Sequence, residues 1–80
     1  MKVNKIDVYR MIAELLEIDV DTIQEINDDE DLMKFGLTSI SCIQLIVMLE
    51  DKYNFSCKDE DLFVDKVNTF SKIFSLLERY

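Results

Sequence analysis

Near the start of the chain Val8, Ile12, Leu15 and Leu16 recur at helical spacing, while Asp7, Arg10, Glu14 and Glu17 form the opposite stripe. This pattern predicts a first helix over residues 2–17. Residues 18–38 lose the period and read as a long loop with apolar anchors at Ile18, Ile23, Ile26, Leu32 and Phe35. A connection of that length in a small domain is often functional. The period returns in a second helix that starts at residue 39 or 40 and runs to 53. Residues 59–65 predict a short helical turn with Leu62 and Phe63 pointing inward. Asn68 and Thr69 are both good N-cap types, so a last helix should start there and place Phe70, Ile73, Phe74 and Leu77 on one face. No stretch holds a strand's two-residue alternation for long. The chain has no proline and a single glycine, so breaks must be read from periodicity and caps. The expectation is one domain over residues 1–80, all-α, with a long first loop and three main helices plus a short third helix in a four-helix bundle.

The second helix carries more apolar surface than one core face needs. Each residue turns an α-helix by about 100°. Cys42, Leu45, Ile46, Leu49 and Tyr53 then share one arc, which suffices as a core face. Ile40, Ile43 and Val47 fall in a second arc, with Gln44 beside it and Glu50 and Asp51 flanking its C-terminal half. A small bundle could bury both arcs. Alternatively the second arc stays exposed as a docking stripe with a polar rim. The chain is short and has few elements to cover both arcs, which favours docking.

Charge and composition narrow the function. The chain has 80 residues, 17 of them acidic and nine basic, for a net charge of −8. Such a surface repels nucleic-acid backbones and anionic membranes. No apolar run approaches the length of a bilayer span and no signal-peptide pattern is present, so a cytoplasmic protein is expected. Histidine is absent, which removes the commonest general base and most transition-metal sites. Cys42 and Cys57 both sit in apolar contexts and read as buried free thiols. The acids at 28–31 and 59–61 lack the alternation and central glycine of a calcium loop and read as solvated loops. An enzyme is therefore the weakest class.

The turn Gly36-Leu37-Thr38-Ser39-Ile40 joins the long loop to the second helix. Gly36 permits a positive φ or a close approach. Ser39 falls at the helix start, where free amides and the helix dipole favour a bound or attached phosphate. On local chemistry alone Ser39 is a plain cap, a role Thr38 or Ser41 could share. Ser41 with Gln44 also matches a capping box. No histidine is available to make Ser39 a nucleophile of its own.

The stretch Asp31-Leu32-Met33-Lys34-Phe35-Gly36-Leu37-Thr38-Ser39-Ile40, followed by Gln44-Leu45 and Leu49-Glu50, resembles the attachment site of acyl carrier and peptidyl carrier proteins. The resemblance runs from about Tyr9 to Leu77. It implies the carrier fold, a four-helix bundle with a long first loop and a short third helix. It also implies that Ser39, in the turn made with Gly36 and Thr38, receives 4′-phosphopantetheine covalently from coenzyme A. Ile40, Ile43, Gln44, Val47, Glu50 and Asp51 match the family's partner-binding positions. Leu62 and Phe63 match positions near the path of the prosthetic arm, beside a plain core role. Two departures stand out. Thr38 occupies a position where housekeeping carriers usually have aspartate. The early second helix, Ser41-Cys42-Ile43-Gln44, lacks the acids of typical fatty-acid carriers.

The resemblance implies a non-catalytic carrier of acyl or aminoacyl thioesters, and with no flanking domain or linker in the sequence a free-standing, monomeric one is expected. Its partners would be a phosphopantetheinyl transferase, a loading ligase and downstream synthase or tailoring enzymes. The two departures point to a specialised polyketide- or nonribosomal-peptide-type pathway. The alternatives are a housekeeping fatty-acid carrier, or a carrier-like interaction module in which Ser39 only caps the helix.

Overall fold

The computed structural model describes residues 2–80, and every regular element among them is helical. The first helix, α1, spans Lys5–Leu16 rather than 2–17. Asn4 stops it at one end by accepting the Ile6 amide through its side chain. Glu17 stops it at the other by turning into the left-handed region at φ 57°. The predicted loop of 18–38 is not bare. It holds a short helix, α2, over Val20–Gln24 and a 3-10 turn over Leu32–Phe35. Asp19 and Asp31 start these two elements as N-caps, and each accepts an amide two residues on. The second predicted helix is α3, Ser39–Tyr53, and the last is α4, Phe70–Glu78, capped by Thr69.

The apolar faces meet in one core. Val8 and Ile12 of α1, Ile23 of α2, Leu45, Ile46 and Leu49 of α3, and Phe70, Ile73, Leu76 and Leu77 of α4 are all buried. Tyr9 packs edge-on to Phe70 at 4.9 Å between ring centroids, which joins α1 to α4. On α4 the predicted face needs one correction. Leu76 is fully buried and Phe74 only half-buried, because the core wraps further round this helix than the single stripe of the sequence.

The 59–65 region also differs from the prediction. It forms two 3-10 turns, Asp59–Asp61 and Val64–Lys66. Leu62 and Phe63 do not point inward: Leu62 is 36% exposed and Phe63 60%. The buried member is Asp61. Its carboxylate accepts from the Tyr80 hydroxyl at 2.9 Å and from Arg79 at 3.2 Å. Tyr80 lies against the Phe55 ring, and its oxygen accepts the Lys58 amide. Two donors hold the polar residue in, one of them itself fixed by the Lys58 amide and the Phe55 ring, and the apolar pair that follows is turned to solvent.

Two stability predictions result. Leu45→Ala should lower unfolding free energy by about 3 kcal/mol in urea denaturation, since a fully buried leucine leaves a cavity. The Tyr80 hydroxyl, aided by Arg79, holds the Asp61 carboxyl below the ordinary carboxylate range. A depressed folded pKa stabilises the fold fully above the unfolded value, and the gain is lost as pH falls through the folded value. Thermal midpoints of native protein should therefore fall more steeply below about pH 4 than those of Asp61→Asn.

Candidate functional site

The site turn is anchored from behind. The Leu32 amide donates to the Asn68 carbonyl at 2.7 Å, and Asn68 returns a side-chain bond to Asp31. One residue stretch earlier, Ser71 donates its amide to the Asp28 carbonyl and its hydroxyl to Asp29. These bonds tie the loop to the start of α4. Gly36 then takes φ 108° and reverses the chain, with its amide donating to the Met33 carbonyl at 3.3 Å. A Cβ at Gly36 would meet nothing within 4 Å, so the backbone conformation and not crowding calls for glycine. The reversal buries Leu37, whose amide donates to the Leu32 carbonyl. Leu37 is the pin that fixes where α3 begins.

The capping of α3 corrects two sequence expectations. Ser41 does not form a box with Gln44, and Ser39 is not the cap. Thr38 is the N-cap, and its partner is Ser41. The Ser41 amide donates to Thr38 Oγ1 at 3.1 Å, and the Thr38 amide donates to Ser41 Oγ at 2.7 Å. This hydroxyl pair replaces the usual Ser/Thr with Glu/Gln combination because both side chains are short and adjacent. The consequence falls on Ser39. It stands exposed at the first position of α3, and its hydroxyl makes no hydrogen bond among the described residues. The amides of the first two helical positions, Ser39 and Ile40, lack intrahelical acceptors by geometry. A free hydroxyl therefore sits beside free amides at the positive end of a helix, an arrangement that suits a phosphodiester.

The second apolar arc of α3 is exposed rather than buried. Ile40 is 74% exposed, Ile43 52% and Val47 48%, while Cys42, Leu45, Ile46 and Leu49 on the opposite arc are buried. Tyr53, placed on the core arc by the sequence, is only half-buried. Gln44 and Asp51 are exposed on the rim. Glu50 is half-buried and already engaged, accepting the Cys57 amide at 2.8 Å. The structure thus brings Gly36, Thr38, Ser39 and the stripe onto one helix and its entry turn.

Both cysteines are free thiols. Cys42 is buried and burial raises its pKa. Cys57 is half-buried, not buried, and burial with Glu50 and Asp61 nearby pushes its pKa up to about 11. Neither is a reactive thiolate at neutral pH. No helix among the described residues is long and apolar enough to cross a membrane.

The profile described as "Phosphopantetheine attachment site" matches residues 7–74. The chain belongs to this family. It is a carrier protein that bears covalent 4′-phosphopantetheine, and its helical fold is the small carrier bundle. No curated protein and no solved structure matches the chain. The matched span contains the whole of α3 and the turn before it, so the free hydroxyl and the free amides lie inside the family's region. Carrier domains of this family are generally non-catalytic and work with a phosphopantetheinyl transferase and synthetic enzymes.

The division of labour at the turn is testable by stability alone. Thr38→Ala should cost about 1 kcal/mol in urea unfolding, the usual value of a lost N-cap. Ser39→Ala should change stability by less than about 0.5 kcal/mol, as for a surface position away from any cap.

Proposed function

We propose that Ser39 is the residue that receives 4′-phosphopantetheine. The observation that carries this reading is the Thr38–Ser41 box, which occupies both neighbouring hydroxyls and leaves Ser39 free at the helix start. When bound, the prosthetic group supplies a terminal thiol on which acyl or aminoacyl groups ride as thioesters. The chain's own contribution is placement. The α3 amides and dipole hold the phosphate, and the Gly36 reversal sets the direction in which the arm leaves. The chain has no histidine, and no carboxylate bonds to Ser39 among the described residues.

Ile40, Ile43 and Val47, rimmed by Gln44 and Asp51, form the partner-docking stripe in this reading. Their exposure supports it, because aliphatic side chains left in solvent on a bundle helix gain nothing for the fold. From Ser39 through Leu49 no residue is charged. That favours a specialised biosynthetic pathway over one whose enzymes grip the second helix by basic patches. The two silent cysteines fit the same role, since they leave the arm's thiol as the reactive one.

Intact-protein mass after incubation with coenzyme A and a broad-specificity phosphopantetheinyl transferase should rise by one phosphopantetheine, mapped to Ser39. Ser39→Ala should show no rise with unchanged helical circular dichroism. Loading of that variant would place the site elsewhere. Ile43→Lys or Val47→Lys should weaken turnover by partner enzymes about tenfold while shifting stability by less than about 0.5 kcal/mol. A large loss of thermal stability would show instead that the stripe is part of the core.

A further inference from the structure

Asn68 stands half-buried just ahead of α4 and bonds in three directions. Its backbone carbonyl accepts the Leu32 amide at 2.7 Å. Its side-chain nitrogen donates to Asp31 Oδ1 at 3.2 Å, and its side-chain oxygen accepts from Lys72 Nζ at 3.0 Å. None of these bonds is needed to start α4. Thr69 does that, accepting the Lys72 amide at 3.1 Å. The side chain of Asn68 is directed instead at the loop that leads to Ser39.

Lys72 decides which way the Asn68 amide faces. An ammonium only donates and a carboxylate only accepts, so between Lys72 and Asp31 the amide has one satisfied orientation. Lys72 Nζ is itself aimed by a second bond, to the Asp65 carbonyl at 2.8 Å. It belongs to neither ion pair among the described residues, Lys52–Asp7 and Arg79–Asp61. A lysine in the first turn of α4 also opposes the helix dipole, and no acid in that turn offsets it. The dipole disfavours a cation there, and what the cation does there is orient Asn68.

The entry turn takes its direction from these contacts. Leu32 and Leu37 are buried, which fixes the depth of the turn, but apolar burial is non-directional. Hydrogen bonds supply direction. Among the described residues, those that tie residues 31–38 to any element other than α3 all end on Asn68. From there the path is continuous: Asp31 accepts the Met33 amide, Met33 accepts the Gly36 amide, and Leu32 accepts the Leu37 amide two residues before Ser39. We propose that Asn68 is a positioning residue for loading at Ser39: its side chain, oriented by Lys72, sets the direction in which the turn presents the serine to the transferase. The proposal rests on Ser39 as the attachment residue.

The test compares native chain, Asn68→Ala, Lys72→Met and the core control Ile73→Val in two measurements. The first is loading by a phosphopantetheinyl transferase with coenzyme A. The second is amide hydrogen exchange of the unloaded chain. Asn68→Ala should raise KM for the chain about fivefold with kcat unchanged, because only the fraction of chains with the turn in place is competent to bind. Lys72→Met should shift KM the same way by a smaller factor. The Leu32 and Met33 amides should exchange about fivefold faster in Asn68→Ala, beyond any change at Leu45 and Leu49 in the core. Ile73→Val should leave KM at the native value, since a slightly less stable chain is still almost wholly folded. An unchanged KM in Asn68→Ala would overturn the proposal, as would an equal rise in Ile73→Val, which would assign the effect to stability. Unchanged exchange at Leu32 and Met33 would show that Asn68 does not hold the turn, and would overturn it without touching the Ser39 reading. A native chain that takes up no phosphopantetheine at Ser39 would overturn the Ser39 reading and the loading role together, whatever the exchange shows.

Discussion

The bond from the Leu32 amide to the Asn68 carbonyl, at 2.7 Å, is the seam on which the site depends. Asp31 uses one carboxylate oxygen twice, accepting the Met33 amide and the Asn68 side chain. It thereby starts the 3-10 turn and fastens that turn to the residues ahead of α4. Gly36 and Leu37 follow at once, so the position of the α3 N-terminus is inherited from α4 through this seam. A long loop would otherwise have too many conformations to present one serine in one direction. Asp29 and Asp31, so easily read as part of a mere charged loop, are the side chains that remove that freedom.

α3 carries two apolar arcs with opposite surroundings. One arc is buried in the shared core, and that burial supplies its stability. The other arc keeps Ile40, Ile43 and Val47 in water. A carrier must leave each enzyme before visiting the next, so a modest exposed stripe fits better than a large sticky patch. Net charge of −8 keeps such a surface soluble despite its exposed aliphatic groups.

The far end of the molecule follows the same logic with polar groups. Asp61 is buried because Tyr80 and Arg79 satisfy it, and its burial orients the turn so that Leu62 and Phe63 face out. Hydrophobicity alone predicts the reverse. Two long-range hydrogen bonds to one carboxylate outweigh the burial of two apolar side chains, since a buried charge without partners is far more costly than an exposed leucine.

Local pattern was enough to place α1, α3 and α4, the end of α3 at Tyr53, and the split of α3 into two apolar arcs, because helical periodicity and caps act over a few residues. The turn Gly36 to Ile40 was equally legible, since positive φ at the single glycine and hydroxyls at a helix start are local chemistry. Tertiary structure decided the rest. It chose Thr38 and Ser41 as the capping pair and so freed Ser39, it turned Leu62 and Phe63 outward, and it laid Asn68 between Asp31 and Lys72. Each of those outcomes depends on partners distant in the chain or on a competition among equivalent hydroxyls. Which partner wins is settled by the packing that brings them together, a quantity no single stretch of sequence contains.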